Sequence, residues 1–276
     1  MKKVVIIAEA GVNHNGNISI AKKLVDCAEK AGVDYIKFQT FKASSLVSQT
    51  APKASYQIIN TKNSQESQFQ MLKALELSYE DHKILVKYCK EKKVKFLSTA
   101  FDKQSLRYIK SLGLKLLKVP SGEITNLPYL QLAAELFDEI IISTGMANLK
   151  EIKNCLDIFL KRNISKKNIT ILHCNTDYPT KMEDVNLKAM NFIKDKFKTN
   201  IGYSDHTLGI EVPIAAVALG AKIIEKHFTL DRTLKGPDHK ASLEPNELKE
   251  MVKSIRNIEK AISGNGIKEA SLSEKK

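Results

Sequence analysis

Short apolar runs and amphipathic stretches alternate along the whole chain. Eight runs rich in Ile, Val and Leu stand out: Val4 to Ala8, Val33 to Phe38, Val94 to Ser98, Leu114 to Val119, Glu139 to Ser143, Asn168 to His173, Asn200 to Tyr203 and Ala221 to Lys226. Their near-continuous hydrophobicity is what strands buried on both faces require. Between them apolar residues recur every three or four positions, as in Ala21, Leu24, Val25 and Ala28, which is the period of crossover helices. Eight such units in 276 residues predict an α/β fold, a (β/α)8 TIM barrel spanning residues 1–264, with 265–276 as a tail or the start of a linker.

Thr40 to Leu77 breaks the rhythm. The segment is too long for an ordinary connection and polar in the middle, Asn60-Thr-Lys-Asn-Ser-Gln-Glu-Ser67. Following the second strand, it would lie over the barrel mouth as a lid, with a disordered insertion as the competing reading. Glu244 to Ile262 reads as a closing helix, and Ser263-Gly-Asn-Gly266 as the loop after it.

Barrel enzymes carry their chemistry at the carboxyl ends of the strands, so the residues that break each apolar run are the candidates. Nearly all are polar: Glu9, Lys37 and Gln39, Thr99, Lys118 with Ser121, Ser143, His173 with Thr176, Ser204 with His206, and His227. Any buried strand must end, so one such residue means little, but a near-complete ring of them points to a site. Thr99, Lys118, Ser121, Ser143 and Ser204 offer hydroxyls and an ammonium without a carboxylate, which suits a phosphate dianion. Gly122 and Gly145 would let backbone N–H groups approach it, although Ser, Thr and Gly also populate ordinary turns.

His206 and His227 each terminate a buried run. Two imidazoles without a thiolate leave coordination positions open and suit a Lewis-acid metal, with Asp205 and Glu225 beside them able to orient a ring. Glu9 can bind a hydroxyl, act as acid or base, or cap backbone N–H groups. Asp238 follows the eighth strand in Gly236-Pro-Asp238, ahead of a helix started by Pro245.

Composition narrows the class. The net charge of +13 invites a nucleic-acid reading, but only four of the 44 basic residues are Arg and the lysines are scattered, so no nucleic-acid partner is expected. Cys27, Cys89, Cys155 and Cys174 are far apart, as in a cytoplasmic protein with reduced thiols. The basic start ahead of Val4 is followed by an apolar run too short for a signal peptide, and no stretch approaches the roughly 18 residues of a membrane span.

Taken together, Ala8-Glu-Ala-Gly-Val-Asn-His-Asn-Gly16, Ile36-Lys-Phe-Gln-Thr40, Leu97-Ser-Thr-Ala-Phe101, Lys118-Val-Pro-Ser-Gly-Glu123, Ile142-Ser-Thr-Gly-Met146, His173-Cys-Asn-Thr-Asp-Tyr-Pro179, Gly202-Tyr-Ser-Asp-His-Thr207, Glu225-Lys-His-Phe-Thr229 and Gly236-Pro-Asp238 resemble the sialic acid synthase family. Members of that family condense phosphoenolpyruvate with an N-acetylated amino sugar to give a nonulosonic acid and phosphate. Ala51-Pro-Lys-Ala-Ser-Tyr-Gln57 and Lys240-Ala-Ser-Leu-Glu-Pro245 look most like its bacterial legionaminate branch.

The resemblance implies roles residue by residue. His206 and His227 would ligate a divalent metal, usually Mn, with Mg or Co as substitutes. Lys37, Thr99, Lys118, Ser121, Ser143 and Ser204 would hold phosphoenolpyruvate; Glu9, Gln39, Tyr178 and Asp238 would hold the sugar, and Glu123 is a second candidate for moving protons. At the sixth strand either Thr176 or Asn175 would contact phosphate. Family members form dimers in which a small antifreeze-like domain after the barrel reaches over the partner and contributes an arginine. That domain is missing from this sequence, so either the chain is a piece of a longer protein or its sugar pocket closes differently. The rival readings are a related phosphoenolpyruvate-dependent ulosonate synthase and a non-catalytic barrel that binds anionic ligands.

Overall fold

A computed structural model describes residues 3–275. Met1 and Lys2 of the basic start, and Lys276 at the end of the tail, lie outside the described residues. Eight parallel strands close into a barrel in sequence order: β1 (Val5–Gly11), β2 (Tyr35–Thr40), β3 (Lys95–Ala100), β4 (Leu116–Val119), β5 (Glu139–Ser143), β6 (Ile169–Cys174), β7 (Asn200–Asp205) and β8 (Ile223–His227). The helices in chain order are α1 (Ile18–Ala31), α2 (Ala43–Leu46), α3 (Ser55–Thr61), α4 (Gln68–Leu75), α5 (Tyr79–Glu91), α6 (Lys103–Ser111), α7 (Leu127–Leu136), α8 (Leu149–Lys161), α9 (Lys188–Phe197), α10 (Glu211–Ala218) and α11 (Pro245–Ala261). No helix among the described residues is long and apolar enough to cross a membrane.

Several strands run one to three residues past the apolar runs that predict them. The reason lies in the period of two: alternate side chains point into the barrel and out toward the helices. Inside, Ile7, Leu97, Ile141, Leu172 and Ile223 pack into a closed floor. Gly202 has no room for a side chain there, since a Cβ would lie 2.3 Å from the Ile223 carbonyl oxygen and 2.6 Å from Leu172 Cδ2. Two residues further along each strand the inward positions are Glu9, Lys37, Thr99, Lys118, Ser143, Cys174, Ser204 and Glu225. The polar residues therefore belong to the strands and form the layer directly above the floor. The outward faces pack on the helices around Ile6, Phe38, Ile142, Tyr203 and Ile224.

The segment from Thr40 to Leu77 is helical, carrying α2, α3 and α4. Its polar centre supplies caps: Asn63 Oδ1 accepts the amides of Gln65 and Glu66, and the Ser67 hydroxyl caps α4. Met71 and Leu75 of α4 bury themselves against Val12 and Phe41, which fastens the segment to the mouth. At the other end α11 starts at Pro245, with Glu244 as its N-cap.

Candidate active site

A cavity of about 190 Å³ opens at the carboxyl end of the barrel. Its base is a layer of buried charge. Lys37 Nζ lies 2.8 Å from Glu9 Oε2 and donates to Thr99 Oγ1 at 2.9 Å. Lys118 Nζ lies 2.9 Å from Glu225 Oε1, which also accepts from the Ser204 hydroxyl at 3.1 Å, and Glu225 Oε2 is 3.7 Å from Lys37. Two ammoniums and two carboxylates thus interleave where water has little access.

Their titration differs because their partners differ. Burial raises the Glu9 carboxyl, and Glu225 adds to the rise while Lys37 opposes it, leaving it at about 7. Burial alone would raise Glu225 as well, but Lys118 and Lys37 together hold it down at about 2. Lys118 is pulled below the ordinary lysine value by burial. Near neutral pH the layer is therefore short of negative charge, and an anion on the lysines would complete it.

One layer above are His206 and His227, ring centroids 5.4 Å apart. His206 donates Nδ1–H to the Asn175 carbonyl at 2.6 Å, which leaves Nε2 with a free lone pair. Burial lowers its pKa to about 4 and carries His227 well below the ordinary histidine value, so both rings are neutral near pH 7. Nδ1 of His227 is buried without a hydrogen-bond partner. Two neutral imidazoles, one with an orphaned nitrogen, fit a divalent metal, and they are the residues here that can hold one. Among the described residues no group of three or more His, Cys, Asp and Glu gathers as a metal centre, so water and substrate oxygens would fill the other positions.

The remaining candidates divide. Ser143 lines the cavity, its buried hydroxyl without a partner. Ser121 also lines it, and its Oγ accepts the Gly145 amide at 2.9 Å. Thr176 faces the cavity, whereas Asn175 turns its side chain to the Asp184 carbonyl and serves His206 only through its backbone. Gln39 donates to Glu9 at 3.4 Å, and the Tyr178 ring lies beside both histidines. Asp238 is buried and is not among the residues lining the cavity; burial raises its pKa to about 6, and the phenol of Tyr56 on α3 is pushed up by its own burial and then by the Asp238 charge. Glu123 does not line the cavity: it is half-buried and accepts from Asn126 at 2.6 Å. Asp205 touches neither imidazole and pairs instead with Lys226.

Sequence reasoning gave Glu225 only a ring-orienting part, yet it links both buried lysines. Its place two residues before His227, on the same inward face of β8, is the signal that identifies it. Gly11 was also passed over. It sits at a shift in the β1–β2 register with φ of 51°, and a Cβ there would come 3.3 Å from Glu9 Oε1, 3.4 Å from His227 Cε1 and 3.5 Å from Gln39 Nε2.

A (β/α)8 barrel whose mouth brings together buried lysines, hydroxyls and neutral imidazoles defines the class of barrel enzymes that carry their chemistry at the carboxyl ends of the strands. The particular family follows from comparison. The model described as the NeuB family matches residues 24–268. The chain is 56% identical over 276 residues to the N,N'-diacetyllegionaminic acid synthase of Campylobacter jejuni, covering 100% of this chain and 82% of that one. It is 51% identical over 271 residues to the synthase of the same name from Legionella pneumophila, covering 98% and 76%. Among solved structures it is similar to the N-acetylneuraminic acid (sialic acid) synthetase of Leptospira borgpetersenii serovar Hardjo-bovis in complex with citrate, with a TM-score of 0.85, 35% identity and coverage of 99% and 90%. The chain belongs to the NeuB family, and it is an enzyme of the condensing, transferase-like class.

Proposed function

We propose that the enzyme condenses phosphoenolpyruvate with 2,4-diacetamido-6-deoxymannose to give N,N'-diacetyllegionaminic acid and phosphate. The observation that carries this reading is the buried layer of Glu9, Lys37, Lys118 and Glu225 directly beneath the His206–His227 pair. It supplies a cationic seat for one substrate and neutral ligands for a metal within one small cavity. The choice of sugar rests on the names of the two bacterial relatives.

Lys37 and Lys118 bind phosphoenolpyruvate as fixed charges, and Thr99, Ser121, Ser143, Thr176 and Ser204 surround it with hydroxyls. Glu9, Gln39, Tyr178 and Asp238 orient the open-chain sugar so that its aldehyde carbon meets C3 of phosphoenolpyruvate. His206 and His227 would hold a divalent metal, Mn before Mg or Co, which would supply Lewis-acid polarisation of the sugar aldehyde. The C3–C1 bond forms, the aldehyde oxygen takes a proton from protonated Glu9 to become a hydroxyl, and C2 is left electron-poor. Water adds to C2 and gives its proton to Glu9, whose raised pKa suits a base near neutrality. The tetrahedral intermediate then loses phosphate by breaking the C2–O bond, its hydroxyl proton passing to the departing phosphate as the C2 carbonyl forms.

The test is phosphate release from phosphoenolpyruvate and Mn with N-acetylmannosamine, its 6-phosphate or 2,4-diacetamido-6-deoxymannose. Turnover is expected with the last. Turnover with a shorter aldose alone would assign the barrel to a different ulosonate synthase. In oxygen-18 water the label is expected in the sugar product; label in the phosphate would exclude C–O cleavage.

A further inference from the structure

The alternation that aims His206 and His227 into the barrel aims their neighbours outward. Asp205 and Lys226 therefore face the layer between sheet and helices, where their neighbourhood is built from apolar side chains such as Tyr203, Val217, Ile224 and Met251. Both are fully buried, at 0% exposure. They are register partners on β7 and β8, with Lys226 Nζ 2.5 Å from Asp205 Oδ2 and 2.5 Å from the Thr207 carbonyl oxygen. Asp205 Oδ1 in turn accepts the Thr207 amide at 3.0 Å and its hydroxyl at 2.9 Å. The bonds enclose His206 from both sides along the chain and tie it to the residue preceding His227.

We propose that Asp205 and Lys226 form a clamp that sets the spacing and tilt of the two imidazoles, making them positioning residues for the divalent metal. This rests on the reading of His206 and His227 as metal ligands. A buried ion pair is a poor device for stability alone, because desolvating two charges offsets most of their attraction and apolar replacements commonly do as well. Registering two backbone segments is the better-attested use of such a pair. What this one registers is residues 205–207 against residue 226, the peptides from which both ligand side chains depart. On its other side His206 is already tied down, through its ring to Asn175 and through its carbonyl oxygen, which accepts the Thr180 amide at 2.9 Å. His227 has no such tie at Nδ1, so backbone and packing set its direction. The clamp adds a side-chain tie to the β7–β8 ladder at residues 205 and 226, while the His227 carbonyl oxygen accepts the Leu243 amide at 2.9 Å on the far side.

The test uses the metal-stripped chain carrying Lys226→Met with Asp205→Asn, which removes both charges while leaving an Asn Oδ1 to serve Thr207. The expected result is a thermal midpoint close to the parent's and Mn binding, titrated calorimetrically with manganese chloride alone, weakened about 10- to 100-fold. In metal-free protein labelled at histidine, the His206 Nδ1–H resonance should move or exchange faster than in the parent. If the double variant fails to fold, Asp205→Asn with Lys226→Gln, which also removes both charges but leaves neutral hydrogen-bonding groups at both ends, gives the same two readings. Parent-like Mn affinity with unchanged histidine resonances in a folded variant would overturn the proposal, leaving the pair a merely structural one. If the parent itself binds no Mn, the metal reading fails, and the resonance of His206 still decides for or against the clamp.

Discussion

The ring of Tyr178 packs against the imidazole of His206, with centroids 4.1 Å apart. Tyr178 also stacks on Tyr56 of α3, 5.5 Å away with planes at 22°. The same cap is pinned by Asn60, which donates to the Pro237 carbonyl at 2.6 Å next to Asp238. A lid residue, a histidine and the loop after β8 are therefore in one contact chain. Replacing Tyr56 with Ala removes an aromatic pair worth about 0.5–1.5 kcal/mol, so KM for the sugar should rise between about 2- and 10-fold. KM for phosphoenolpyruvate should hold steady, because its lysines lie a layer deeper. Steady-state kinetics with each substrate varied in turn separates the two; a parallel rise would mean that α3 supports the whole mouth.

Asp238 predicts a pH dependence of stability. Its folded pKa, about 6, is raised above the ordinary aspartate value of 3.8 by burial. Between those values the folded state keeps a proton that the unfolded chain has lost, so stability falls as pH rises through the window and is level above it. The size is about 3 kcal/mol. Asp238→Asn should therefore match the parent near pH 4 and exceed it by up to that amount at pH 8, in urea melts without ligand. The same variant should bind the sugar more weakly. A constant difference at all pH values would place the stabilisation elsewhere.

The barrel is legible in the sequence because strands buried on both faces read as unbroken Ile, Val and Leu runs. Their carboxyl ends are not, because Glu9, Gln39, Thr99 and His227 still occupy strand positions while facing a polar interior. The ring of candidates survives that shift, since each of its members is marked by breaking an apolar run. Glu123 stands out by its motif, but its orientation depends on the turn after β4, which delivers it to Asn126. The Thr40–Leu77 helices hide because Asn63 and Ser67 look like loop residues when read without the turns they cap.

Lys118 and Glu225 predict an asymmetry between stability and activity. With Lys118→Met, Glu225 keeps only Lys37 at 3.7 Å and a hydroxyl as partners in a dry site. Breaking a buried pair from one side costs about 3–5 kcal/mol, and the residual partner places this case toward the lower figure. Adding Glu225→Gln removes the stranded charge and should recover most of the loss. Phosphoenolpyruvate turnover should not return, since the cation is still missing. Denaturation curves and phosphate release on the three variants decide it, and recovery of both quantities together would show that Lys118 serves the fold alone.

Gly11 concentrates several demands in one position. The β1–β2 register shifts there, which turns the chain inward beside Glu9, and φ of 51° puts the residue in the left-handed region. For alanine that conformation costs about 1–2 kcal/mol. The 3.3 Å contact to Glu9 Oε1 is tight enough that the carboxylate must give way by a few tenths of an ångström, while His227 Cε1 at 3.4 Å and Gln39 Nε2 at 3.5 Å stay in ordinary contact. Such a displacement is small for folding and large for a reacting geometry. Gly11→Ala should therefore keep its cooperative melt, with a loss of about 1–2 kcal/mol, while kcat falls by far more than that loss in stability would suggest. Added Mn should not restore it, because the group displaced is the Glu9 carboxylate and not an imidazole. A variant with parental kcat would show that the mouth absorbs a methyl group and that the register shift, not the empty space, is what the glycine provides.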